Sequence, residues 1–265
     1  MTKGPVAVAG GFFALFLGLP IATLLGRAVL GGMLPDAGRS TAVLSALGLS
    51  LATTAASLVV TVGLGLPLAV LLARHRFPGR GVIEAIVDLP IVLPPAVAGL
   101  ALLLVFGRRG IFGGAANAAG IEIAFTTIAV VLAQVFVSAP FFVRSARTGI
   151  AAVDRELEDA ARVDGASEVG LFRAVTLPLA APALAAGLVM TWARALGEFG
   201  ATIMFAGNVE GRTQTLPLVV YGEFQGGDLD GSIAAAAILV VAALGVLVAI
   251  RVLHWSRVLD VRSAG

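Results

Sequence analysis

No cysteine occurs among the 265 residues, which excludes disulfides and thiolate-bound metals and leaves the redox compartment open. Charge is scarce as well. Charged side chains make up 13% of the chain, about half of the roughly 25% usual in soluble domains. Apolar side chains fill the difference, at 58%, and the mean hydropathy is +1.01. That excess is too large for soluble cores and assigns the chain to a bilayer. Histidine is reduced to His75 and His254, both near arginines at the ends of apolar runs, where they read as interfacial anchors. With no cysteine and no carboxylate–histidine cluster, the sequence offers no metal site. It also lacks the Gly-x-x-x-x-Gly-Lys-Ser/Thr phosphate loop. No catalytic residue is therefore assigned, and any ATP must be hydrolysed by another chain. Period-2 alternation is missing from the apolar runs, which argues against a transmembrane barrel.

What is present is a set of six charge-free runs: 4–26, 41–73, 89–107, 123–143, 174–193 and 231–250. A spanning helix needs about 20 apolar residues, and only helices satisfy their backbone inside such runs. The expectation is an all-α integral membrane fold with six transmembrane helices. The second run exceeds the bilayer core, so its helix tilts or projects. The first run is 23 residues long, beyond the roughly 7–15 of a signal-peptide core, and no small-x-small cleavage site follows it, so it reads as a retained helix.

The basic residues set a side. With the N-terminus in the cytoplasm, the inner face carries Lys3, Arg74, Arg76, Arg80, Arg144, Arg147, Arg155, Arg162, Arg173, Arg251, Arg257 and Arg262. The outer face carries Arg27, Arg39, Arg108, Arg109 and Arg212. Twelve against five places both termini and the segment 144–173 in the cytoplasm, in a multi-pass protein. The formal charge of +2 and a pI near 9.9 follow from these loops rather than from a nucleic-acid surface. The expected organisation is a first helix and external loop over 1–40, a membrane domain over 41–254 and a cytoplasmic tail over 255–265.

Within the inner segment, Asp154 has the character of an N-cap, and Glu156 and Glu158 suit the positive end of a helix dipole. Leu157, Ala160, Ala161 and the stem of Arg155 recur at helical spacing. Gly165 ends or bends this helix, a second short one runs over 167–175, and Leu177-Pro178 marks re-entry into the membrane. A small-residue helix outside the bilayer suits docking into a groove on another protein.

The series Asp159-Ala160-Ala161, Gly165, Val175, Leu177-Pro178 resembles the cytoplasmic loop of ATP-binding-cassette (ABC) importer permeases. Their pattern is Glu-Ala-Ala, three residues, Gly, nine residues, Ile, one residue, Leu-Pro. Every spacing is kept, with Asp159 in place of Glu and Val175 in place of Ile. The resemblance implies the type I importer permease fold and a coupling helix at about 150–178 that sits in a cleft of the ATPase subunit. Glu158, Asp159, Ala160, Ala161, Asp164, Gly165 and Ala166 are its candidate residues. It also implies the partners: a second copy of the permease, two ATPase subunits holding ATP and magnesium, and an extracytoplasmic binding protein in a prokaryotic cell membrane.

Few polar groups lie within the runs or directly beside them. Arg194 and Glu198 are four residues apart, on one helix face, where they can pair. They read either as an ion pair that packs helices or as part of a gate. Asp88 precedes Pro90 and the pair Pro94-Pro95, which breaks the helix ladder, and its carboxylate is expected to meet freed backbone donors. Gln134 and Ser138 read as interhelical hydrogen-bond formers, and Gly187, Gly197 and Gly200 permit close helix approach.

Three further stretches narrow the resemblance. They are Arg194-Ala-Leu-Gly-Glu-Phe-Gly-Ala-Thr202 with Gly211-Arg-Thr-Gln-Thr-Leu-Pro-Leu218, Phe106-Gly-Arg-Arg-Gly-Ile-Phe-Gly113, and Phe141-Phe-Val-Arg-Ser145. They are similar to the molybdate, tungstate and sulfate branch of these permeases, and nearest to the molybdate members. The resemblance implies a tetrahedral oxyanion as cargo, and Arg108, Arg109 and Arg212 form a basic outer mouth that suits a dianion. Sulfate or tungstate is the alternative cargo. An ion-coupled secondary transporter is the alternative class, but it would show inverted repeats and paired discontinuous helices.

Overall fold

The computed structural model describes residues 3–263, with side chains for residues 4–116 and 118–248. Among the described residues every regular element is a helix, and no strand occurs. The helices are α1 (Lys3–Leu30), α2 (Leu34–Ala37), α3 (Thr41–Arg74), α4 (Arg80–Val92), α5 (Pro95–Phe106), α6 (Gly113–Ala118) and α7 (Thr127–Ala151). Then come α8 (Arg155–Val163), α9 (Glu168–Leu171), a π-helical turn (Phe172–Thr176), α10 (Leu177–Leu196), α11 (Gly200–Phe205), α12 (Leu216–Gln225) and α13 (Leu229–Ser263).

Among the described residues, five helices are long and apolar enough to cross a membrane, one fewer than expected. They are Gly4–Leu30, Thr41–Arg74, Thr127–Ala151, Glu168–Leu196 and Leu229–Val248. The difference lies at the third run. There Leu93 and Pro94 adopt ψ of 133° and 134°, which separates α4 from α5. Each of these residues precedes a proline, whose ring excludes the helical conformation from its predecessor. At 13 and 12 residues, the two pieces are about 20 Å and 18 Å long, so neither crosses a 30 Å core alone. The prolines within α1, α3, α7 and α10 leave their helices continuous. The expected short helix over 167–175 also differs. It runs from α9 through the π-helical turn into α10 without a break, since Thr176 and Leu177 keep helical dihedrals.

The chain forms two compact units, residues 1–48 with 214–265, and residues 49–213. In the first, Val43, Ala46, Leu216, Val219 and Ala235 make the core, and α13 packs against α1, α2 and α12. The second has two cores. One gathers Ala98, Leu102, Val130, Val137, Ala201 and Phe205 from α5, α7 and α11; the other gathers Ala69, Leu72, Phe142, Ala146, Ile150, Ala180 and Leu184 from α3, α7 and α10. Helix α7 is the axis of this unit and carries eleven buried side chains. Lipid removes the hydrophobic drive between helices, so close packing of small residues holds them together. A Cβ on Gly187 would lie 2.7 Å from that of Ser145, so only glycine lets α10 approach α7 so closely.

Candidate coupling site

Three side-chain devices build the segment between α7 and α10. Asp154 caps α8, its carboxylate accepting the N–H of Glu156 at 3.0 Å. Gly165 ends α8 at φ +87°, a conformation that glycine adopts without strain, and Ser167 caps α9 by accepting the N–H of Gly170 at 3.2 Å. Across this corner Arg162 donates to Asp159 at 2.8 Å and makes two bonds to Glu168, at 2.9 and 3.2 Å. The hydrogen bond from Arg162 holds the Glu168 carboxyl below the usual carboxylate range, and the same bond raises the guanidinium. Both are exposed, so the clamp fixes an angle more than it adds stability.

The outward side of this helix pair is unfilled. Leu157 and Val163 are 51% and 87% exposed, whereas Val169, 62% exposed, lines the cavity on the other side of the pair. Asp159, Ala160, Asp164, Gly165 and Ala166 are exposed too, and Ala161 is half-buried. Glu158 behaves differently. It is 4% exposed and the one buried side chain of α8. Its Oε1 accepts from Arg74 Nη2 at 2.5 Å and from Thr176 Oγ1 at 2.6 Å. Sequence grouping put Glu158 with the docking residues, but the structure turns it inward, against the end of α3 and the head of α10. Beside it, a cavity of about 750 Å³ opens between the end of α3 and the α8–α9 pair, lined by Leu66, Val70, Ile150, Leu171 and Phe172 among others.

A second constellation joins two interrupted helices. Gly200 opens α11 against Pro95 of α5, where an added Cβ would lie 2.7 Å from the proline Cβ, and Gly99 meets Ala201 as closely. Pro94, Pro95, Gly197, Glu198 and Gly200 thus border one place, where the α4–α5 and α10–α11 breaks meet. Arg194 and Glu198 do pair, Nη1 to Oε2 at 2.6 Å. They do not share a helix face, because α10 ends at Leu196 and Glu198 lies in the following turn. The Glu198 residue is 1% exposed and its Oε1 accepts the N–H of Ala201 at 2.7 Å, while the Arg194 side chain keeps 29% exposure. Asp88 does not serve the broken backbone as expected. It lies within α4 and faces Arg144 of α7 at 3.6 Å. One turn earlier, Glu84 meets Arg80 at 2.9 Å and Arg147 at 2.6 Å, and the Arg80 hydrogen bond first of all holds its carboxyl low.

At the expected outer mouth, Arg108 is paired with Glu122 at 2.6 Å, and Arg109 and Arg212 are exposed. Gln134 does bond between helices, donating to Thr54 at 3.4 Å, whereas Ser138 takes part through its carbonyl, which accepts from Thr191 at 3.3 Å. Sequence reasoning missed the buried row Ser50, Thr53, Thr54, Ser57 and Thr61 on α3, although its spacing of three and four was visible. It also missed the partners of Glu158, which are 84 and 18 residues away in sequence. Among the described residues no cluster of three metal-ligating side chains occurs. His75 is exposed, and the side chain of His254 lies outside the described residues.

Helices of membrane-crossing length, with a capped, polar helix pair set between two of them, are the arrangement of a multi-pass membrane protein. The family model described as "Binding-protein-dependent transport system inner membrane component" matches residues 65–257, more than half of the chain, and the protein belongs to that family. The chain is 47% identical over 201 residues to the molybdenum transport system permease protein ModB of Mycobacterium tuberculosis (strain ATCC 25618 / H37Rv), covering 75% of each chain. It is 38% identical over 251 residues to a probable molybdenum ABC transporter permease protein of Haloferax volcanii, covering 95% of this chain and 90% of that one. The sulfate transport system permease protein CysT of Salmonella typhimurium is 38% identical over 190 residues, 72% of this chain and 69% of its own. A crystal structure of a bacterial ABC transporter that imports alginate has a chain with the same fold, with a TM-score of 0.75 at 18% identity, covering 96% of this chain and 94% of that one.

Proposed function

We propose that the chain is the membrane-spanning permease subunit of an ABC importer that moves molybdate, or a closely similar tetrahedral oxyanion, into the cell. The observation that carries this reading is the α8–Gly165–α9 surface. It presents Leu157 and Val163 to the outside at the place where the family pattern docks an ATPase. ATP with its magnesium would be bound and hydrolysed in two separate subunits, and the chain itself is not an enzyme. A second copy of the permease and an extracytoplasmic oxyanion-binding protein complete the assembly. Residues 1–40 supply the first helix and external loop, 41–254 the permease domain and 255–265 a tail, with both termini in the cytoplasm.

In this reading, Asp159, Ala160, Ala161, Asp164, Gly165 and Ala166 face the ATPase. The meeting of the two helix breaks, with Pro94, Pro95, Arg194 and Glu198 around it, forms the gate region, and Asp88 braces α4 there through Arg144. Arg109 and Arg212, free of the pairing that occupies Arg108, favour approach of an anion or of an acidic rim on the binding protein. Similarity to molybdenum permeases at up to 47% identity supports molybdate as cargo. Sulfate is the second reading, favoured by the 38% identity to a sulfate permease. The test is uptake by vesicles holding the permease, its ATPase subunits and its binding protein. ATP-dependent accumulation of molybdate, competed by tungstate and not by sulfate, is the expected result. Accumulation of sulfate alone selects the second reading, and uptake driven by an ion gradient without ATP refutes both.

A further inference from the structure

Helix α8 is nine residues long and has little holding it to the membrane body. Its apolar side chains Leu157 and Val163 point outward, a turn precedes it, and the Gly165 corner follows it. The cavity of about 750 Å³ behind it replaces the packing that would seat a core helix. The one side chain that α8 buries is a carboxylate, and its single oxygen Oε1 gathers donors from two different crossings. Arg74 is the last residue of α3, and Thr176 closes the π-helical turn at the head of α10. π-Helical turns are rare and recur at functional sites; here the turn ends on the hydroxyl donor.

We infer that Glu158 is a positioning residue, the joint through which displacement of the coupling helix is passed at once to α3 and α10. The inference rests on the permease reading above and deepens it. The carboxylate is suited to that role. A buried charge that loses its partners is costly, so the three groups move as one body, whereas an apolar contact across the cavity could slide. A bond to two helices also makes the motion concerted, because neither α3 nor α10 can follow α8 without the other. Leu157, Ala160, Val163 and Asp164 are exposed and do not line this cavity, so docking through them and transmission through Glu158 are separable.

The experiment uses the whole transporter in vesicles, with molybdate as cargo, and reads two quantities: recovery of ATPase subunits with the permease, and ions moved per ATP hydrolysed. Glu158→Gln and Arg74→Gln are expected to keep the ATPase bound and to lower ions per ATP about tenfold, the factor that corresponds to about 1.4 kcal/mol and to loss of one charge-assisted bond. Arg74→Lys, which keeps charge and reach, is expected to restore most of the ratio, a rescue that a merely structural role would not produce. Wild-type ratios in both glutamine variants overturn the inference. So does a loss of uptake matched by loss of bound ATPase, which would make Glu158 a docking contact. Should either glutamine variant fail to assemble, Thr176→Val decides, since it removes one hydrogen bond at nearly constant shape; an unchanged ratio there overturns the joint. Wild-type vesicles that accumulate no oxyanion with ATP refute the permease reading itself, a result distinct from any variant ratio.

Discussion

The Arg194–Glu198 pair yields an unequal pair of costs when either partner is made neutral. Glu198 is 1% exposed, whereas the Arg194 side chain retains 29%. Arg194→Gln therefore leaves a carboxylate with no counter-charge in a site that water does not reach, a loss of about 3–5 kcal/mol. Glu198→Gln is milder. The glutamine carbonyl still accepts the Ala201 N–H, and the freed guanidinium turns its partly exposed end toward water, so the cost is about 1–2 kcal/mol, that of one charged hydrogen bond. Glu198→Ala removes the acceptor as well and adds about 1 kcal/mol for the lost cap of α11. In the double variant no charge is stranded, and its stability should return to within about 0.5 kcal/mol of Glu198→Gln. Unfolding in detergent, followed by helical signal against denaturant, measures each value, with vesicle uptake recorded in parallel. Equal losses for the two single variants, or a double variant whose loss is their sum, would refute the claim that the pair is a desolvated unit. Uptake that stays impaired in a double variant of recovered stability assigns the pair to the gate rather than to packing alone.

The coupling corner and the sides of the membrane give simpler tests. Gly165→Pro, which cannot hold φ +87°, and Ala160→Arg, which adds bulk to a small-residue surface, should each cut recovery of the ATPase with the permease at least about tenfold; undiminished recovery in both removes the docking assignment. Single cysteines at Arg76 and Ala166 should resist a membrane-impermeant thiol reagent in intact cells, while those at Arg109 and Arg212 should react. The chain's lack of cysteine gives a clean background, and external labelling of Ala166→Cys inverts the topology. Glu168 is held below its ordinary value by Arg162, so its contribution to the corner is present above the ordinary carboxylate range and lost as pH falls through the lowered value. Amide exchange across residues 155–171 should rise below about pH 4 and lose that dependence in Glu168→Gln; a flat profile in the parent protein refutes the clamp.

Helix positions were legible because the bilayer demands long apolar runs, and capping residues such as Asp154 and Ser167 act within three residues of their targets. The third crossing was misjudged because hydropathy is blind to φ and ψ. Run 89–107 is apolar throughout, yet two successive pre-proline positions divide it. The Arg194–Glu198 contact was correctly read and its geometry was not, since spacing of four suggests one helix and Gly197 ends that helix between them. Glu158 was grouped with its neighbours because a carboxylate beside a docking motif reads as surface. Its burial depends on Arg74 and Thr176, whose proximity only the tertiary fold decides.

The divided third crossing has a consequence for hydration. Pro94 and Pro95 supply no N–H, so the carbonyls of Pro90 and Ile91 lose the donors that a continuous helix would give them, and α5 begins with N–H groups that have no acceptor four residues back. Residues 94–97 are exposed in the single chain. Hydrocarbon cannot satisfy such groups, and each one left bare costs several kcal/mol. The break must therefore face either water or another protein surface, and a lone chain surrounded by lipid at that depth is thermodynamically incomplete. The same two prolines that interrupt the helix thus mark a place where the membrane has to be wet or covered, and a solvent-exchange or water-proximity probe at Ala96 reads out which of the two holds in each state of the assembly.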